Sequence, residues 1–382
     1  MSAPSSPPRI AQIGGKSLAD TGVRKFYEAA VKYGASDILL RSGQVPRLRL
    51  KGVLKSLETT PISPEDMEKW IEEGTSAEQW DNYIHRGALD IGFDLKVPDG
   101  SSHRFRVNIF RTRGRSAMAA RRVDNKILTF DQLHLPPAMK DVCMQPSGIV
   151  LLAGVTGSGK STTIASMIQY INERKQVHIV TIEDPIEFLF EDDKAMINQR
   201  EVGIDVASFD DGLRSLVREN PDIVLIGEMR DRETFEAALH AAETGHLVFG
   251  TIHASSASQA FGRIYDLFPQ EERGQIRTML AYQFQAFIYQ KLLPTLMENV
   301  PRVPAVEILT QSALSRKYVL EGREHELNEV VRQSRQLGMQ TFTDALVELV
   351  EKQMIHPKVA GEVAINPDEL KMRLKGIGSS AH

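Results

Sequence analysis

Cysteine is nearly missing from this chain: Cys143 is the only one in 382 residues. A single thiol excludes an intramolecular disulfide and any cysteine-based zinc site, and it fits a reducing compartment. Long apolar runs are missing as well. No uninterrupted stretch approaches the roughly 18 residues that a spanning helix needs, so a membrane role would be peripheral. The opening MSAPSSPPRIAQIGG has no apolar core and therefore no secretory signal. Positive charge is not in excess: 46 Lys and Arg face 50 Asp and Glu, a formal net charge of −4. That balance argues against a broad electrostatic commitment to nucleic acid but leaves room for a local basic patch.

What remains is ordinary globular material, 42% hydrophobic and 25% charged, long enough for two or three domains. Residues 1–16 are rich in Ser, Pro and Gly and read as a disordered tail. A helical pattern runs from Leu18 to Tyr33 and ends at Gly34. Strand-like runs follow at Ser36–Leu40, Arg47–Leu50, Ala88–Leu95, Arg104–Phe110 and Ser116–Arg122. They are interrupted by a helix near Glu65–Glu73 that starts with Ser63 as N-cap and Pro64 in its first turn. This mixture predicts a small α+β domain over residues 17–123. Residues 124–140, with Pro136-Pro137, read as a linker.

Beyond it the pattern changes. Continuous apolar runs at Gly148–Leu152, His178–Ile182, Ile223–Ile226 and Leu247–Thr251 alternate with helices. Strands covered on both faces read this way, which predicts a parallel α/β sheet within residues 141–382. From about Gln270 onward the pattern is mostly helical.

The segment Gly154-Val155-Thr156-Gly157-Ser158-Gly159-Lys160-Ser161 fits G-x-x-x-x-G-K-[ST] at every fixed position. Glycines at that spacing let backbone N–H groups curl around phosphates. Lys160 then reaches the β- and γ-phosphates of ATP, and the Ser161 hydroxyl ligates Mg²⁺. Thr162 follows in the helix, whose positive end faces the anion. The strand IVLLAG enters the loop and an amphipathic helix leaves it. A second GKS string, Lys16-Ser17 after two glycines, has Ile10 where the first glycine belongs and reads as flexible tail. A guanine-reading N-K-x-D is absent, since Asn125-Lys126-Ile127-Leu128 lacks the acid and precedes the loop.

Two strand ends carry acids. Ile223–Ile226 leads into Gly227-Glu228-Met229-Arg230-Asp231, and the strand HIVTI leads into Glu183-Asp184-Pro185-Ile186-Glu187. Beside a phosphate loop, one carboxylate can organise the metal while another polarises the attacking water. His246 and His253 flank the strand Leu247–Thr251, one at each end, a spacing that does not make a metal pair. Residues 104–122 hold seven arginines and no acid. Alternation puts Arg104, Arg106 and Asn108 on one strand face. Such a face is a solvated surface, a nucleic-acid contact, or a source of arginine fingers for a nucleotide bound elsewhere.

Together, GVTGSGKSTT, TIEDPIEF, NQREVG, RENPDIVLIGEMRD and AAETGHLVFGTIHASSA resemble the secretion ATPases, and within them the PilT/PilU-like ATPases that retract type IV pili. GASDILLRSGQVPRLRLKG and FRVNIF are similar to that family's N-terminal PAS-like domain, and QLGMQTFTDALVELV to its C-terminal helical part, here residues 270–382. The resemblance implies a RecA-like core after a PAS-like domain, a cytoplasmic homo-hexamer with ATP between subunits, and motion between domains that drives pilus retraction. It implies Glu187 as catalytic base and Glu228 as the carboxylate serving Mg²⁺ through water. His246 and His253 would form a histidine box. Arg106, Arg113 and Arg121 would be the N-domain arginines, with the spacing at Arg113 one residue short.

An integral inner-membrane platform protein and a second retraction ATPase are the implied partners; no nucleic acid is expected. The string QSALSRKYVLEGREHEL departs from the principal retraction pattern toward the accessory, PilU-like one. Pilus-extension and type II secretion ATPases share the core motifs but usually carry an extra N-terminal domain and often a four-cysteine insert. Type IV secretion hexamers and a nucleic-acid-dependent motor rank below them.

Overall fold

A strand buried on one face must alternate, whereas one buried on both faces need not. Both kinds occur here, in two separate units. The computed structural model describes residues 17–50, 52–123 and 126–376, and the chain divides between Asn125 and Lys126. The tail predicted over residues 1–16 lies outside the described residues, as do the first two residues of the predicted linker.

In the first unit, β1 (Asp37–Arg41), β2 (Arg47–Leu50), β3 (Val53–Ser56), β4 (Ala88–Lys96), β5 (Ser102–Thr112) and β6 (Arg115–Val123) form one sheet in the order β3-β2-β1-β6-β5-β4. Every pairing is antiparallel. Ile91, Phe93, Leu95, Phe105, Val107 and Ile109 turn inward. There Tyr27 meets both Phe93 and Phe105 edge-on, with ring centroids 4.9 Å apart in each case. The helix Pro64–Glu73 has Ser63 as its N-cap and proline in its first turn.

The single helix expected over residues 18–33 is instead a 3₁₀ turn, Leu18–Asp20, followed by a helix, Arg24–Tyr33. Thr21 Oγ1 donates to Leu18 O at 3.0 Å, which closes the first turn. A Cβ on Gly22 would lie 2.3 Å from Trp70 Nε1, so only glycine fits against that ring. The exposed β3 and the helix Ala77–Arg86 were not legible in the pattern.

The second unit is built on β7 (Gly148–Ala153), β8 (His178–Glu183), β9 (Met196–Glu201), β10 (Ile223–Ile226), β11 (Leu247–Ile252), β12 (Phe284–Pro294) and β13 (Arg302–Thr310), ordered β13-β12-β7-β11-β10-β8-β9. All neighbours run parallel except β12 and β13. Every residue of β7, β10 and β11 is buried. Phe130 and Leu135, from the predicted linker, are buried in this unit's core.

The stretch after Gln270 corrects the sequence expectation. One helix, Arg273–Gln283, is followed by the β12–β13 hairpin, and only after Thr310 do helices take over. The run FQAFIYQKLLP has glutamines five apart in a mostly apolar frame, and an apolar run of this kind fits either period.

Candidate nucleotide site

In a parallel sheet the strand ends all face the same way, so the loops that follow them converge. Here β7, β11, β10 and β8 are in register: Ala153 lies beside Ile252, and Ile226 lies between Gly250 and Ile182. The phosphate-loop motif, His253, Glu228 and the acidic box therefore leave from one edge of the sheet.

The loop after β7 curls because three of its glycines adopt positive φ: Gly154 at 150°, Gly157 at 78° and Gly159 at 86°. Two of them are also confined. A Cβ on Gly154 would sit 2.6 Å from Gln290 O, and one on Gly159 would sit 2.9 Å from Gln290 Nε2. Gly159 is the N-cap of the helix Lys160–Asn172, and no side chain caps that helix. Its first amides are thus available to an anion. The Ser158 hydroxyl is buried without a hydrogen-bond partner, and such a group is normally satisfied by something. These features fit a phosphate chain. Lys160 Nζ donates to Gly154 O at 2.8 Å and Val155 O at 3.3 Å. Burial pushes its ammonium down from the usual range, opposed by the charges of Glu228 and Glu187.

Glu228 stands two residues beyond β10. Its loop is stitched to β11: Thr251 Oγ1 donates to Gly227 O at 2.7 Å, and Met229 N donates to Thr251 O at 3.0 Å. Its carboxylate meets Arg230 Nη2 at 2.5 Å and His253 Nε2 at 3.0 Å. The Arg230 hydrogen bond holds its carboxyl below the usual carboxylate range, against burial, and Arg230 and His253 add their charge. Glu183, at the end of β8, is buried and accepts from Thr181 Oγ1 at 2.7 Å. Burial pushes its carboxyl up. Glu187 is half-buried four residues on. No group of three or more His, Cys, Asp and Glu able to hold a metal occurs among the described residues. A hydroxyl from Ser161 and one carboxylate suit Mg²⁺, which usually keeps several waters and substrate phosphates as its other ligands.

The two histidines separate. His253 reaches Glu228, whereas His246 precedes β11, where its Nδ1 lies 2.8 Å from Ala241 O. The six residues of β11 put it roughly 20 Å from that end of the sheet. His246 is not brought to the phosphate loop of this chain.

The arginines separate too. Arg106 on β5 is directly opposite Arg121 on β6, and Arg121 is opposite Asp37 on β1. Arg113 instead occupies the tip of the β5–β6 hairpin with φ 51° and Gly114 at 74°, the positive pair that a tight two-residue hairpin turn demands. Asp37 receives Arg121 Nε at 2.9 Å and Arg49 Nε at 3.2 Å.

One residue that supports the phosphate loop carries no signal in the sequence. Gln290 of β12 is buried and used at both ends. Its Nε2 donates to Ser158 O at 2.8 Å, and its Oε1 accepts from Thr163 Oγ1 at 2.8 Å. It forms the floor of the loop.

Comparisons with known proteins follow the same lines. The family model described as "Type II/IV secretion system protein" matches residues 15–368. The type IV pilus retraction ATPase PilT of Pseudomonas aeruginosa is 39% identical over 339 residues, 89% of this chain and 97% of that protein. The type IV pilus ATPase PilU of the same organism is 33% identical over 357 residues, 94% of this chain and 92% of that protein. A crystal structure of the pilus retraction motor PilT with bound ADP superposes with a TM-score of 0.83 at 39% identity, covering 93% of this chain and 99% of that one.

Proposed function

The chain belongs to the type II/IV secretion system protein family, and from that membership we propose that it is an ATPase motor that retracts type IV pili and so powers twitching motility. It binds ATP and hydrolyses it to ADP and phosphate. The observation that carries this reading is the convergence, at one edge of a parallel sheet, of the glycine loop, the Glu228–His253 pair and the acidic box.

Each residue has a role in the proposed mechanism. The amides from Gly154 through Thr162 cradle the phosphates. Lys160 leaves its carbonyl partners and neutralises the β- and γ-phosphates. Mg²⁺, when bound, draws charge from the phosphate oxygens; Ser161 would hold it directly and Glu228 through water. His253 fixes the Glu228 carboxylate from one side and Arg230 from the other. Glu187 takes the proton of the attacking water as its oxygen bonds to the γ-phosphorus and the bond to the ADP oxygen breaks.

The assembly we propose is a homo-hexamer with ATP between subunits. Arg106 and Arg121 serve a neighbour's nucleotide, which accords with two adjacent arginines on one sheet face in a different unit from the loop. His246, at the far end of β11, has no part in the chemistry of its own subunit. No described helix is long and apolar enough to cross a membrane. We place the motor in the cytoplasm, against an integral platform protein and alongside a second retraction ATPase.

The host phenotype tests the direction of work. Deletion is expected to give excess surface pili with lost twitching. Bald cells would assign the chain to extension instead.

A further inference from the structure

The string NQREVG stands out in the sequence but has no role in the mechanism above. In the structure its first four residues, Asn198 to Glu201, end β9, the edge strand of the ATPase sheet, beside the strand that leads into the acidic box. The parallel register sets Gln199 against Thr181 and Glu201 against Glu183. Residues two apart on a strand share a face, so these four polar side chains make a block at the end of the sheet. Thr181, Glu183 and Glu201 are buried.

The block grips the chain on both sides of Glu187. Glu201 Oε2 accepts from Ile186 N at 3.2 Å. The Glu183 carboxylate accepts from the Glu187 amide. Gln199 Oε1 accepts from Phe190 N at 2.9 Å, and its Nε2 donates to Phe188 O at 2.8 Å and to Glu183 Oε1 at 3.2 Å. One glutamine thus uses both ends of its amide on the loop and joins that loop to the Glu183 carboxylate. The loop between β8 and β9 contains no regular helix or strand of its own. Without these bonds, its backbone polar groups at Ile186, Phe188 and Phe190 would need other partners.

We propose that Gln199 and Glu201 are positioning residues for the catalytic base: they hold the backbone on either side of Glu187 so that its carboxylate meets the attacking water. The proposal rests on the reading of Glu187 as base. Pre-organisation of this kind acts on turnover more than on nucleotide affinity, because Gln199 and Glu201 hold the loop between β8 and β9, whereas the phosphate loop follows β7.

The test uses the full chain in its assembled state. Gln199→Met keeps much of the side-chain volume and removes both hydrogen-bonding ends. It should bind a fluorescent ATP analogue within about twofold of wild type and lose on the order of 10- to 100-fold in kcat. Glu201→Gln keeps an acceptor oxygen for Ile186 N and should retain most of the turnover that Glu201→Met loses. Single-turnover measurements in the Glu187→Gln background supply the readout that a general structural role would not move. Once the base is gone, Gln199→Met should cost nothing further, since residues acting as a unit are not additive.

Wild-type kcat in Gln199→Met, with Glu187→Gln slowed as expected, overturns this proposal alone. So does a full additional loss in the double variant, or a loss confined to nucleotide affinity. Wild-type turnover in Glu187→Gln overturns the base assignment and the positioning role with it. If Gln199→Met does not fold, Gln199→Glu replaces it. That variant sets an acceptor against Glu183 Oε1 and Phe188 O, and wild-type kcat in it equally overturns the proposal.

Discussion

The two sheets of this protein use charge in opposite ways. The ATPase sheet is buried along β7, β10 and β11 and puts its polar chemistry at the strand ends. The sheet of the first unit buries one face and spreads charge across the other: Arg49, Asp37, Arg121 and Arg106 lie on successive strands, with Asp94 beside Arg104 and Asp90 beside Asn108. A parallel sheet gathers function to a point because its loops converge. An antiparallel sheet with one solvated face offers a field instead. A point is intolerant of substitution, whereas a field gives way by degrees.

That contrast can be broken, and its strongest test is Lys160→Ala. Loss of the charge on the β- and γ-phosphates should lower turnover by at least about 10³-fold and weaken nucleotide binding. Unchanged ATPase activity in a clean preparation would remove the point altogether. Next comes Glu187→Gln, expected to keep ATP and lose roughly 10²- to 10⁴-fold in kcat. Wild-type turnover would move the base elsewhere.

The field should respond less. Arg121→Ala or Arg106→Ala should each cost about 10²-fold, and Arg113→Ala, at its hairpin tip, within about twofold. Rings mixed from Arg121→Ala and Glu187→Gln subunits should recover part of the rate, because some interfaces then carry an intact arginine and an intact base together. No recovery at any mixing ratio would confine the arginines to their own subunit.

The smallest effect concerns Asp37. Burial pushes its carboxyl up, but hydrogen bonds from Ser36 and Arg121 and the charges of Arg121 and Arg49 outweigh it, so the net shift is downward. A depressed carboxyl stabilises the fold above the unfolded value near 3.9, and that contribution fades as pH falls through the folded value. After solvent screening it is no more than about 1 kcal/mol. Asp37→Asn should therefore lower the melting temperature of the first unit slightly at neutral pH, with the difference from wild type vanishing in acid.

Legibility in the sequence also differed between the two regions. The strands β7, β8, β10 and β11 were visible because burial on both faces leaves mostly apolar residues. The phosphate loop was visible because its backbone path admits glycine at set positions: Gly154 and Gly159 leave no room for a Cβ beside Gln290. The β12–β13 hairpin falls within the stretch expected to be mostly helical, because an apolar run interrupted by Gln285 and Gln290 satisfies either period. The exposed β3 carried no pattern at all. At the site, two strands could be seen to lead into acidic clusters, and the family resemblance picks out Glu187 and Glu228 within them. Gln290 and Gln199 could not be named, because a buried amide between two segments is a property of their meeting. The separation of His246 from His253 followed from strand length alone.

The bond between Gln290 and Ser158 spans 132 residues of sequence, and this has a consequence for biosynthesis. As the chain leaves the ribosome from its N-terminus, the phosphate loop emerges early, yet its floor arrives only with β12. Until Gln290 has cleared the exit tunnel, the nascent loop lacks the contact that Gly154 and Gly159 are shaped to receive. A chain arrested before that point should fail to retain nucleotide, however complete its glycine motif.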